Sequence, residues 1–517
     1  MKKLLALLLV AVLLLGTLAG CAQTKPTAPS SEAPKTETPA EPKIVKIADL
    51  FAKDYTSLDP AKNSCGWWTS ALGMSETLFR INDEYSVVPW LAKSAVADGK
   101  TWTIELRDDV TFSDGTKLDA ERAVACLKRA PEVNENAVAL KEATFEVKSP
   151  TVFTITTPKP LTTMTNELTS VYYSMVKLEE GADFEKGAIF TGPFVLSEFK
   201  PGVSTKCVKN EKYWAGEVKL SGVEGIYVAD ADTLSLAFQN GEVDAFIGPT
   251  TNDLKLFESA TDKYTVVKTP ASRLYYYYFN QTRMPDKDLR AAFNMAIDHD
   301  AIVKLLAGLA SPTIGAYGPD TAYGKVEKKK YDPAAAKALI EGLGYELNAE
   351  GYYAKNGKEL ELDIAYYAAR SIDKIVLLMQ EQLKAVGIKA KLSVSENPDA
   401  TYLTTKDYDI AMYCMIANPS ADPYYFMNRV VGGGNYTAAG FESKEAKELL
   451  EKLYSETDTA KRAELAIQMQ KIIIDEEAMG FIALLNKTTC MHNGVVNCNE
   501  KNPVSFYFLN AATDKVK

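Results

Sequence analysis

His299 and His492 are the two imidazoles in 517 residues that could serve as a general base or a metal ligand. His299 lies in Asp298-His299-Asp300, between an apolar segment and a helix start, where a solvated or capping role is expected. His492 stands between Cys490 and Cys498, and the three could supply zinc-type ligands, but a fourth is missing and the spacing is not a standard one. A hairpin-like disulfide between the two cysteines and unpaired thiols are the alternatives. The chain has no G-x-S-x-G elbow, no H-E-x-x-H, no G-x-x-x-x-G-K-[ST] and no C-x-x-C. Acidic residues are plentiful, yet the sequence singles out no catalytic pair. These residues point to binding rather than turnover, with no cofactor and no metal held by the protein alone. Arg370 is the one side chain whose local context suggests a ligand contact, as an anion anchor.

That context is a β-α-β unit. Leu360, Leu362, Ile364 and Tyr366 alternate, a helix is expected over 372–386, and Ile388, Ala390, Leu392 and Val394 alternate again. The two strands should be parallel neighbours or nearly so. Arg370 then sits at the carboxyl end of a strand and just before a helix amino terminus, the edge where open α/β sheets bind ligands. Similar patterns recur in both halves. Trp102, Ile104 and Leu106 alternate and Val110 and Phe112 resume, predicting a strand pair entering the turn Ser113-Asp114-Gly115. Asp119 can cap a helix to about Arg129, with Glu121 in its first turn. A helix over 231–240 should stop at Gly241 before a strand over 243–247, and Asp332-Pro333 should open a helix over 334–343. Such alternation is the signature of α/β lobes, and roughly 475 residues of body call for two or three of them.

The first twenty-one residues place this body outside the cytoplasm. Lys2 and Lys3 precede an apolar run over 4–15, too short for a bilayer span of about 20 residues, so residues 1–20 read as a signal peptide. The ending Leu18-Ala19-Gly20-Cys21 resembles the lipobox of bacterial lipoproteins, which implies cleavage before Cys21 and lipidation of its sulfur, with an ordinary secretory signal as the alternative. Residues 21–42 are rich in Pro, Thr, Ser and Glu and read as a disordered tether with a reach on the order of 25 Å. The net charge of -10 and the lack of a basic cluster in the body argue against nucleic acid.

Several segments resemble the bacterial extracellular solute-binding proteins of family 5, which serve peptide and nickel ABC importers. They include SLDPAKNSCGWWTSALGMSETLFRIN (57–82), TGPFVLSEF (191–199), KNEKYWAG (209–216), DADTLSLAFQNGEVDAF (230–246) and YDPAAAKALIEGLGY (331–345). The resemblance implies an α/β, two-lobed periplasmic-binding-protein-like fold of the class II or cluster C type, with an extra subdomain in the first lobe. Residues 43–280 would form lobe I, with the subdomain at about 83–190; residues 281–489 would form lobe II and residues 490–517 return to lobe I.

It also implies closure over a small solute and docking on a membrane permease, by a monomer lipid-anchored at the outer face of the cell membrane. Trp67 and Trp68 follow the family segment Leu58-Asp59-Pro60, whose loop faces the cleft. Tyr276, Tyr278 and Asn280 belong to a run near the crossing between lobes, where strand alternation lets one pair of tyrosines face the ligand. The loop with Asn418, Ser420 and Asp422 matches the one carrying a peptide-anchoring aspartate, although Pro419 occupies the anchor position. Short peptides or peptide-like solutes are the expected ligands, with nickel or a metal chelate as the alternative and a secreted hydrolase as a remote third reading.

Overall fold

The structure is a computed structural model that describes residues 42–50, 54–228, 230–327 and 330–516. The signal segment, Cys21 and nearly all of the tether lie outside the described residues. Eleven strands form one sheet: β1 (Ile44–Asp49), β2 (Phe194–Lys200), β3 (Ser204–Lys209), β4 (Gly222–Tyr227), β5 (Ala245–Ile247), β6 (Tyr264–Phe279), β7 (Ala310–Pro312), β8 (Glu361–Tyr367), β9 (Lys389–Ser395), β10 (Ile410–Ile416) and β11 (Met479–His492). Their order is β9-β8-β10-β6-β11-β5-β1-β4-β3-β2, with β7 beside β11.

Two lobes share this sheet through its long antiparallel pair, β6 and β11. Residues 264–269 of β6 pair with 487–492, and residues 273–278 pair with 479–485. The register shifts between Thr269 and Arg273, a stretch that contains Pro270. Proline has no amide hydrogen to give the ladder, so the two strands change lobe at a bulge. On one side lies a core that includes Val45, Leu72, Ile104, Phe153, Phe194 and Leu509. On the other lie two cores, one around Phe293, Ile364 and Met379 and one around Tyr276, Phe426 and Met469.

The first lobe carries a separate four-stranded antiparallel sheet of Ala92–Asp98, Thr101–Leu106, Val152–Thr156 and Thr144–Ser149. Its helix α1 (Ala120–Val133) is capped by Asp119, whose carboxylate accepts from the Arg122 amide at 2.9 Å. The helix runs on past Arg129 and takes in Pro131. Val110 and Phe112 do not form the second strand of the expected pair. Only the bridge between Thr111 and Lys117 forms there, and both apolar side chains are buried, so their alternation reported burial rather than pairing.

The β-α-β unit forms as read: β8, helix α2 (Ile372–Ala385), then β9 parallel to β8 with Leu362 opposite Ala390. Helix Ala231–Gln239 begins at Asp230, a cap the sequence reading did not name, and helix Pro333–Gly342 begins at its expected cap Asp332. Gly241 follows the first of them at φ 76°, a conformation that costs glycine little. All six described cysteines are free and buried. Cys490 packs beside Phe238 and Phe246, while Cys498 joins the first-lobe core, so the disulfide considered for this pair does not form. His492 turns Nε2 to the Phe238 carbonyl at 2.6 Å, which fixes the ring within the protein.

Candidate functional site

The two lobes meet along a seam of hydrogen bonds. Tyr85 is the central residue on the first lobe, with φ 58° in the turn after strand Phe79–Ile81. Its hydroxyl shares a hydrogen bond with Ser272 Oγ at 2.8 Å and donates to the Asn418 carbonyl. Asn418 passes the network on through its side-chain amide, which donates to the Tyr323 hydroxyl at 2.8 Å. Beside it the Asn166 amide donates to the Ser420 carbonyl at 2.7 Å, and Thr162 Oγ1 donates to the Glu456 carbonyl at 2.7 Å. Arg429 donates to Asn136, and Lys159 pairs with Glu451 at 2.8 Å, closing the outer rim.

Glu167 lies next to Asn166 and faces this seam. Burial first, then the Asp422 carboxylate, push its carboxyl up to about 7. The aromatic walls include Tyr172, Tyr425 and Tyr436, with the Arg429 guanidinium 4.5 Å over the Tyr425 ring and 4.8 Å over the Tyr436 ring.

The floor is built by the interior of β6 and the carboxyl ends of β8 and β10. Tyr275 and Cys414 are opposite each other in the ladder. The Tyr275 hydroxyl donates to the Arg370 carbonyl at 2.7 Å, and the Tyr367 hydroxyl donates to the Cys414 carbonyl at 3.3 Å. Arg370 Nη1 stands 3.5 Å from the Tyr367 hydroxyl. Arg370 and Ser371 both take left-handed backbone angles, φ 54° and 60°, which bend the chain sharply between β8 and α2. Two such residues in succession, neither of them glycine, cost about 1–3 kcal/mol each, and strain of this kind collects at ligand sites.

Four of the expected residues reach the seam or its floor: Trp67, Asn418, Ser420 and Arg370. Trp67 is half-buried, its ring 5.0 Å from Phe506 in a cluster that also takes in Tyr85 and Ala421. The other five are placed in the protein interior. Trp68 stacks on Tyr55 at 5.4 Å and donates to Thr205 Oγ1 at 3.0 Å, under a strand position where Gly225 leaves room for its ring. Tyr276 and Tyr278 lie in a second-lobe core, because both faces of β6 are covered there and alternation exposes neither. Asn280 holds its own loop, donating to the Lys406 carbonyl at 3.0 Å.

Asp422 forms a bidentate pair with Arg462, at 2.6 and 3.0 Å, and accepts from the Tyr424 amide at 2.9 Å. That leaves it a structural role. The sequence reading missed Tyr85, Tyr323, Arg273 and Arg429. A lone tyrosine in the turn Asp83-Glu84-Tyr85-Ser86 and an arginine ahead of four tyrosines were the available signals.

A cavity of about 300 Å³ lies elsewhere, lined in part by Ser75, Glu76, Arg80, Trp90, Tyr213 and Tyr507. Its Glu76 carboxylate is saturated by the Trp90, Tyr213, Thr191 and Trp214 donors, and no residue of 281–489 lines it. The lobe seam and this cavity are therefore separate features.

The model of the middle part of the bacterial extracellular solute-binding proteins, family 5, matches residues 86–438. The nickel-binding periplasmic protein of Escherichia coli is 27% identical over 424 residues, covering 75% of this chain and 79% of that protein. The glutathione-binding protein GsiB of the same species is 29% identical over 369 residues, covering 68% and 69%. Among solved structures, NikA from Staphylococcus aureus in complex with Ni(L-His)2 superposes with a TM-score of 0.80 at 20% identity, over 92% of this chain and 100% of that one.

Proposed function

Since the chain belongs to family 5 of the bacterial extracellular solute-binding proteins, a family of transport receptors rather than enzymes, we propose that it captures short peptides or peptide-like solutes between its lobes and delivers them to an ABC importer. The observation that carries this reading is the seam itself. Polar groups from both lobes, Tyr85 and Asn166 on one and Ser272, Asn418 and Ser420 on the other, converge over a floor of tyrosines and arginine. A ligand touching both sides favours the closed arrangement by its differential affinity, and a permease can read that state. A first-lobe boundary near residue 270, rather than at the expected 280, is supported by the bulge in β6 and by Tyr276 and Tyr278, which pack in a second-lobe core; the bulge would supply a hinge.

Glutathione, the ligand named for one relative, is a tripeptide, which supports the peptide-like class. A second reading, nickel or a metal chelate, is favoured by the names of two other relatives. His492 is engaged with Phe238, and His299 opens the helix His299–Leu305 beside Tyr277 in the second-lobe core. Nickel at the seam would therefore have to arrive with its own chelator. Lipid on Cys21 would hold the monomer at the outer face of the cell membrane, with residues 21–42 as the tether.

Mass spectrometry of the protein isolated from its host tests the set together. Released peptides support the main reading, and nickel with a small chelator supports the second. Peptide hydrolysis by the purified protein would contradict both. The intact mass reads the lipid on Cys21, and an unmodified thiol there would remove the anchor.

A further inference from the structure

The first-lobe cavity is lined from residues 70–90, 193–215 and 499–512, and none of the residues that bridge the seam reaches it. Ser75, Glu76 and Leu509 make a buried floor, while Ala215 and Ala512 are exposed at the rim, so the cavity opens to solvent. Its volume of about 300 Å³ is at the small end for ligand pockets and admits one small molecule.

Arg80 is the middle residue of strand Phe79–Ile81. Phe79 and Ile81 are buried in apolar clusters, so alternation turns Arg80 the other way, to the cavity. Its guanidinium stands 4.3 Å from the centre of the Trp90 ring and 4.9 Å from that of Tyr507. The two rings hold the group by their faces and accept no hydrogen bond from its edge. Among the described residues, no carboxylate or carbonyl accepts from Arg80.

Glu76 supplies the carboxylate of this cavity, but it is already used. Trp90 and Tyr213 donate to one of its oxygens at 2.9 and 2.7 Å, and Thr191 and Trp214 to the other at 2.8 and 3.1 Å. Four donors fill the lone-pair sites of a carboxylate, so Glu76 has none left for a ligand. Asn499 adds a second unmet donor to the lining. Its Nδ2 is buried with no hydrogen-bond partner among the described residues, while its carbonyl accepts from Lys487 Nζ at 2.7 Å and fixes the residue in place. A buried donor is costly until an acceptor reaches it.

We infer that this cavity is a second solute site, which takes a small carboxylate with a flat apolar body. The carboxylate oxygens accept from Arg80 and Asn499, and the body packs against Trp90, Tyr213 and Tyr507. Such a site fills without lobe closure, since no residue of 281–489 lines it, and it stands whatever the seam binds.

Isothermal titration calorimetry of the whole protein tests it, with benzoate, benzamide and inorganic phosphate as probes. Benzoate is expected to bind at least about tenfold more tightly than benzamide, which has the same ring without the charge. Phosphate has the charge without the flat body and is expected to bind more weakly than benzoate. Arg80→Gln is expected to weaken benzoate at least about tenfold, and Arg80→Lys, which keeps the charge without the fork, by less.

Arg80 also packs on two rings, so a second variant leaves it in place. Ala215→Trp, at the exposed rim, is expected to fill the mouth and abolish benzoate binding with the melting temperature unchanged. Benzoate that binds Arg80→Gln or Ala215→Trp as tightly as the wild type lies elsewhere, at the seam or on the surface, and overturns the site. Equal affinity for benzamide, or phosphate binding in place of benzoate, overturns the flat-carboxylate class. No heat from benzoate at millimolar concentration overturns the site outright, and none of these outcomes bears on capture at the seam.

Discussion

Asp422 and Arg462 are 8% and 5% exposed, and the two fork-like hydrogen bonds between them tie the loop after β10 to helix Thr459–Asp475. Removing one partner leaves the other charge buried alone, which costs about 3–5 kcal/mol. Asp422→Asn is therefore expected to lower stability by that order in urea unfolding, and a variant as stable as the wild type would reopen a ligand role for Asp422. Glu167 acts in the opposite sense. Its carboxyl is raised from 4.5 to about 7 in the assembled seam, so the seam favours its protonated form. That contribution is fully present below pH 4.5 and is lost as pH rises through about 7. Melting temperature measured across this window should fall more steeply for the wild type than for Glu167→Gln; parallel curves would show that Glu167 does not carry this pH dependence. The groups facing it, Asp422, Tyr172, Tyr424 and Tyr454, are left unchanged in that comparison. At this scale the sequence showed residue type and not partner. Asp422 looked like an anchor because its salt-bridge partner lies forty residues away, and the turn Asp83-Glu84-Tyr85-Ser86 shows a lone tyrosine but neither its left-handed backbone nor its partners across the seam.

Among the elements, β6 and β11 pack closely. Tyr277 lies across Gly480, its opposite residue in the ladder, and a Cβ there would stand 2.1 Å from Tyr277 Cζ. Tyr277 is fully buried and its hydroxyl donates to Asn294 Oδ1 at 2.7 Å, so the ring cannot yield without breaking that bond. Gly480→Ala is expected to cost at least about 1–3 kcal/mol in chemical denaturation, and a neutral change would mean that the pair can shift. The β-α-β unit and the aspartate-capped helices were legible because their determinants are local: alternation, an acidic cap, a glycine or proline at the boundary. The tyrosine run over 275–278 was legible as a strand but not as a core strand. Its two covers, on opposite faces, come from segments far away in the chain, and alternation alone assumes one open face. For the same reason Val110 and Phe112 mimicked a strand while packing into a core from a turn.

For the whole molecule, the two-lobed α/β architecture followed from length, alternation and the family segments, whereas the crossing point did not, because a bulge at Pro270 is a matter of pairing between residues more than two hundred apart. The molecular claim is capture by closure: the seam contacts of Tyr85, Asn166 and Thr162 belong to one state of a hinged pair, and ligand selects it. Small-angle X-ray scattering on protein stripped of ligand by unfolding and refolding, before and after addition of the peptides or chelate released from the native protein, tests this most directly. The expected result is a smaller radius of gyration with ligand, reversed when the ligand is removed. An unchanged radius at saturating ligand would contradict capture by lobe closure.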